Sequence, residues 1–155
     1  MTYEHSHYGI YALIINADEK KILLIKKTRG PYTGMLDLPG GGPEKNETRE
    51  QTLIREVKEE VGANVTSIKE ERGFTIKYEY HDQKQDCVLI HSGLIFPTQI
   101  DDNIIEKMHS SDTAGCIWVP IESVLEEKIT PPVREATAAG DIMNHPCPRL
   151  LIYRR

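Results

Sequence analysis

The stretch from Gly40 to Ala63 leaves the chain few options. It opens on three consecutive glycines, Gly40-Gly41-Gly42, with Pro43 directly after them, and it closes on Gly62. Residues 47–61 contain neither Gly nor Pro and read as one helix. Asn46 or Thr48 can cap its start, and Thr48 with Gln51 fits a capping box. Gly62 stands where helices usually stop. Leu53, Ile54, Val57 and Val61 recur at helical spacing and form the stripe expected to pack on a sheet. Glu56, Glu59 and Glu60 fall within an arc of about 100°, centred about 120° from that stripe. One face of the helix therefore packs, and its neighbour presents three carboxylates within a turn of one another.

Like charges this close resist ionising together. A hard divalent cation among them, Mg²⁺ or Mn²⁺, would resolve the conflict because such ions take oxygen ligands. An isolated E-x-x-E-E is more often a solvated acidic surface, since Glu is a good helix former. The spacing of the whole segment decides between these readings.

Residues 41–63 match G-x5-E-x7-R-E-U-x-E-E-x-G-U, where U is a bulky aliphatic residue. The match departs only at the last position, which is Ala63. Seven fixed residue types at ordinary usage would coincide by chance in roughly one window in 10⁸. The segment resembles the signature of the Nudix hydrolase family in its MutT-like form. Leu38-Pro39-Gly40-Gly41 before the signature also resembles the family, with Leu36 where an aromatic is common. Ile22–Lys27 and Trp118-Val119-Pro120 resemble its flanking strands.

The resemblance implies an α+β fold, a mixed β-sheet sandwiched between α-helices (an α/β/α sandwich) with the signature as loop–helix–loop. It implies hydrolysis of a nucleoside diphosphate linked to another moiety, with water attacking phosphorus. It implies Mg²⁺ or Mn²⁺ held by Glu59 and Glu60, by Glu56 as a third ligand or as the base, and by the Gly40 carbonyl. Arg55 and Glu47 would orient the carboxylates, and Gly41 and Gly62 would shape the loop and helix end. Asp112, in a Ser-Ser-Asp-Thr loop, is the candidate for a further acid, ahead of Asp101, Asp102 and Glu106. Lys26, Lys27 and Arg29 follow the second strand and are candidates for contacting phosphate.

Around this segment, residues 7–16 and Ile22–Lys27 read as a strand hairpin turning at Asp18–Lys21. Residues 28–46 form a long loop containing the apolar piece Met35–Leu38. Residues 65–80, bent at Gly73, and residues 85–96 read as long strands. Residues 114–119 read as a short strand, with helices over Ile121–Glu127 and Pro132–Ala139. The tail after Gly140 is ambiguous.

A length of 155 residues suits a single domain, 1–155. Lys and Arg total 19 against 24 for Asp and Glu, a net charge of −5. That disfavours a nucleic-acid coat, which needs many cations on phosphates. It leaves a small nucleotide as partner, and the family makes a homodimer an expected assembly. No apolar run is long enough to span a membrane, and Met1–His7 lacks the pattern of a secretory signal. Cys87, Cys116 and Cys147 are odd in number and widely spaced, which fits reduced thiols in a cytoplasmic protein. The six histidines show no zinc spacing. Tyr8, Tyr32, Phe74, Tyr78 and Tyr80 are base-stacking candidates, more often core by residue type, as Trp118 is.

A catalytically inactive nucleotide-binding regulator is the alternative function. It would usually have lost an acidic ligand or the Arg-Glu pair, both retained here. An isoprenoid diphosphate isomerase on a similar fold would need a cysteine in a fitting loop, which neither Cys87 nor Cys116 supplies.

Overall fold

The computed structural model describes residues 3–82, 86–138 and 150–154. In chain order the strands are β1 (Tyr3–Leu13), β2 (Ile15–Asn16), β3 (Lys21–Lys27), β4 (Leu36–Asp37) and β5 (Gly40–Gly41). Helix α1 (Arg49–Val61) follows, then β6 (Val65–Ile68), β7 (Phe74–Asp82), β8 (Cys87–Ile100) and β9 (Thr113–Pro120). Helix α2 (Pro131–Ala138) and β10 (Leu150–Arg154) complete the order.

Two sheets result. The larger is mixed, in the order β10-β7-β8-β1-β5, with β6 also on β8. β1 runs parallel to β8 over its whole length, and β7 runs antiparallel to β8. The smaller sheet pairs β2, β4 and β9 antiparallel with β3. This is an α+β fold.

Strand residues alternate between two faces, and here the faces feed two cores. Ile10, Ala12, Leu23 and Ile25 pack with Leu53, Val57 and Val61 of α1. Leu13, Ile22, Leu24 and Val119 pack with Val133 and Ala136 of α2. The sheets therefore lie between the two helices, as the resemblance implied.

The structure corrects several sequence-based boundaries. Residues 7–16 are two strands in different sheets: β1 pairs with β8, and only Ile15–Asn16 makes the hairpin with Ile22–Lys21. Residues 65–80 are also two strands, separated by a 3₁₀ turn over Glu70–Arg72. The 14-residue β8 takes both, β7 along Cys87–Ile95 and β6 along Thr98–Ile100. Ile121–Glu126 is 3₁₀ rather than α-helical. Part of the ambiguous tail is β10, parallel to β7, while Cys147 and the rest of the segment after Gly140 lie outside the described residues. Cys87 and Cys116 are free thiols. Among the described residues no helix is long and apolar enough to cross a membrane.

Candidate active site

The α1 capping box forms as read: Gln51 N–H bonds Thr48 Oγ1 at 3.1 Å, and Thr48 N–H bonds Gln51 Oε1 at 2.9 Å. Gly62 ends the helix at φ 84°, a conformation costly for any residue with a Cβ. Within the helix the buried face is turned from the expected stripe. Leu53, Val57 and Val61 are fully buried, but Ile54 is 41% exposed and Glu60 is only 3% exposed. Thr52 and Glu60 flank the buried residues because each finds a polar partner inside: Thr52 Oγ1 bonds Glu47 Oε1 at 3.2 Å, and Glu60 Oε1 accepts the Gly40 N–H at 2.8 Å. A buried polar group is tolerated when it is hydrogen-bonded.

Arg55 ties the segment together. Its Nε and Nη2 donate to the two oxygens of Glu47 at 2.7 and 2.9 Å, a forked pair that only a guanidinium can make. Nη2 also reaches the Gly42 carbonyl at 3.2 Å, and Nη1 reaches Glu56 at 3.0 Å and Glu59 at 3.4 Å. The Arg55 hydrogen bonds hold the Glu47 carboxyl down at about 2. A side chain at Gly41 would collide with the Glu56 carboxylate, so glycine there lets the loop lie against the helix acids.

The loop and helix form part of a cavity of about 500 Å³. Glu56, Glu59 and Glu60 line it together with Gly40, Gly41 and Arg55. Burial raises the carboxyls of Glu56 and Glu60 above the ordinary range, and each is raised further by a neighbouring glutamate. Three hard oxygen donors in one wall suit a divalent cation. In this conformation Arg55 lies against two of them, and among the described residues no three acidic, His or Cys side chains converge closely enough to enclose an ion.

Lys27, Arg29 and Asp112 also line the cavity. The Lys27 charge acts on Glu56 and Glu60 to lower them, which brings its field into the acidic wall. Asp112 is half exposed and lies 3.8 Å from Arg29 Nη1. Lys26 does not join them: it lies on a separate cleft with Glu106, Lys107 and Cys116, as strand alternation requires of adjacent residues. Asp101 binds Asn64 and Asn103 instead of the cavity. Phe74 and Tyr78 are core, and Tyr8 is 45% exposed.

Sequence reasoning missed the cavity floor. Tyr11, Asp37, His7 and His91 come from β1, β4 and β8, and all four line the space. The available signal was a polar residue inside an apolar run, Asp37 within Met35–Leu38 and His91 after Leu89-Ile90.

Comparison with known proteins gives the site a context. The sequence model described as NUDIX domain matches residues 5–139. An ADP-ribose pyrophosphatase of Methanocaldococcus jannaschii is 50% identical over 44 residues, 28% of this chain and 26% of that protein. An ADP-ribose pyrophosphatase of Bacillus subtilis is 39% identical over 57 residues, 36% of this chain and 31% of that protein. The matches thus span about a quarter to a third of those relatives' length. A MutT NUDIX hydrolase from Burkholderia pseudomallei superimposes with a TM-score of 0.64 at 20% identity, over 86% of this chain and 97% of that one.

Proposed function

The chain belongs to the NUDIX domain family, and from that premise we propose that it hydrolyses the pyrophosphate bond of a nucleoside diphosphate linked to another moiety. Nucleotide sugars of the ADP-ribose type are the first substrate class to test, because the two curated relatives carry that activity in their names. One observation carries the reading: buried Glu60 and partly buried Glu56 share a cavity with Lys27 and Arg29. Such a site offers acids for a cation and cations for phosphate.

In this reading residues 1–155 act as one domain. Glu56, Glu59, Glu60 and the Gly40 carbonyl hold Mg²⁺ or Mn²⁺. When bound, the cation neutralises pyrophosphate charge and acidifies water. The chain's own residues do the rest. Arg55 holds Glu56 and Glu59 in place while Glu47 holds Arg55, as outer partners of a metal site do. Lys27 and Arg29 bind phosphate oxygens. Glu56 takes the proton of the attacking water, a role that suits a carboxyl held above its ordinary range. The free Cys87 and Cys116 favour a reducing, cytoplasmic setting.

The deciding experiment incubates the protein with Mg²⁺ or Mn²⁺ and a panel of ADP-ribose, other nucleotide sugars, ordinary and oxidised nucleoside triphosphates, dinucleoside polyphosphates and capped RNA. Release of AMP and ribose 5-phosphate from ADP-ribose is the expected result. Failure to cleave any phosphoric anhydride in the panel sinks the reading.

A further inference from the structure

The cavity floor carries a chain of hydrogen bonds whose direction can be worked out. Tyr32 Oη donates to Tyr78 Oη at 2.7 Å. Tyr78 therefore has its own proton left for His91 Nδ1, with which it is in contact. His91 then carries its proton on Nε2 and donates it to Tyr11 Oη at 2.5 Å. Were His91 Nδ1–H instead to donate to Tyr78, that hydroxyl would receive two donors, Tyr32 and His91, and its own proton would have neither of them as acceptor. Burial keeps His91 neutral, down at about 3, so one ring nitrogen accepts and the other donates. The Tyr11 proton is left without an acceptor among the described residues. Tyr11 is 3% exposed and lines the cavity, and its ring lies against Gly9 and Gly40, where a Cβ would collide with it.

Asp37 has the complementary need. It is 4% exposed and also lines the cavity. Both of its protein hydrogen bonds fall on Oδ1, from Leu38 N–H at 2.8 Å and Thr130 Oγ1 at 2.7 Å. Oδ2 has no partner among the described residues. Of the neighbouring charges, that of Asp37 acts most strongly on the Tyr11 hydroxyl. Asp37 lines the cavity, so a ligand there can reach the oxygen that the protein's own hydrogen bonds leave over.

We propose that the Tyr11 hydroxyl and the Asp37 Oδ2 form a donor and acceptor pair that binds the vicinal hydroxyls of a ribosyl group. A hydroxyl is the fitting partner because it accepts from Tyr11 and donates to Asp37. A phosphate does not fit there, since it would meet Asp37 and the nearby Glu60 as like charges. The inference rests on the proposed nucleotide-sugar reading and names the part of that substrate the floor reads.

Equilibrium binding to the full chain tests it, by NMR titration with divalent cation withheld so that nothing is turned over. The ligands are ADP-ribose, ADP and 2′,3′-dideoxyadenosine diphosphate, and the variants are Tyr11→Phe and Asp37→Asn. Thermal melting confirms that each variant folds, and the more conservative Asp37→Asn keeps the Thr130 and Leu38 bonds. We expect Tyr11→Phe to weaken a hydroxyl-bearing ligand about tenfold and Asp37→Asn to weaken it severalfold, with the dideoxy ligand unchanged. Loss for ADP-ribose alone assigns the pair to the terminal sugar, and equal loss for ADP and ADP-ribose assigns it to the nucleoside sugar. Equal loss for all three ligands, or none, overturns the proposal. Because binding is read without turnover, an inactive protein that still discriminates the ligands would refute the hydrolase reading and leave this inference standing.

Discussion

Glu60 Oε1 accepts the backbone N–H of Gly40 at 2.8 Å, across twenty residues of chain. This bond fixes the glycine loop against the acidic face of α1. It also explains why a carboxylate sits beside the packing face.

Hydrolysis should require added divalent cation. Buried Glu60 and partly buried Glu56 are like-charged neighbours, and the arginines around them, Arg29 and Arg55, are already paired with carboxylates. EDTA should abolish turnover, and excess Mg²⁺ or Mn²⁺ should restore it. Full activity in chelator, with metal content shown to be nil, would contradict the mechanism.

Glu60→Gln should separate activity from stability. Gln keeps the Gly40 bond and the volume but removes the charge, so turnover should fall roughly 10²-fold or more. The metal-free protein should become more stable at neutral pH. Burial raises the folded-state Glu60 carboxyl well above its ordinary value. The folded state thus binds more protons than the unfolded one, and this group's contribution falls as pH rises from the ordinary carboxylate range through the raised value. The difference in melting temperature between variant and parent should grow with pH over that window, at about 3 °C per kcal/mol for a chain of this size. A flat difference would mean that Glu60 is not the titrating group.

Arg55→Lys should not be conservative. Lysine cannot make the forked pair to Glu47 while reaching Glu56 and the Gly42 carbonyl. We expect at least a tenfold loss of turnover, because Glu56 and Glu59 lose their common anchor. NMR titration should show the Glu47 carboxyl moving up from about 2 toward its ordinary value. Stability above the ordinary carboxylate range would weaken accordingly. An unmoved Glu47 would show that the pair does not set its acidity.

Glu56→Gln and Asp112→Asn should behave differently at saturating Mg²⁺. Glu56 lies in the acidic wall against Arg55, whereas Asp112 is half exposed at the cavity rim. If Glu56 takes the proton, more metal cannot restore the rate. Asp112→Asn should slow turnover less, or only for some substrates. A Glu56→Gln rescued by metal beside a nearly inactive Asp112→Asn would reverse the assignment.

Local chemistry made the loop–helix segment legible in the sequence. Thr48, Gln51 and Gly62 act within one turn of the helix ends, so their roles needed no knowledge of the rest of the fold. The same holds for Arg55 and the glutamates around it, whose spacing alone brings them together. Which face of α1 turns inward was not local. Ile54 and Glu60 exchanged expectations because the glycine loop, held by β1 through the pairing of Tyr11 with Gly40, offers Glu60 a backbone donor. The split of residues 7–16 and of 65–80 had a similar cause. Each piece goes to the strand that can satisfy its backbone, and that choice depends on β8, far along the chain.

The sequence by itself determined the acidic helix, its caps and the glycine loop, since these depend on contacts a few residues apart. Only the tertiary structure decided the cavity floor. Tyr11 and His91 are 80 residues apart, and Thr130 and Asp37 are 93 apart. They meet because β1 lies parallel to β8, with His7 in register with His91, and because α2 begins beside β4. Register between distant strands is set by the collective packing of both cores, a property that no short window of sequence contains.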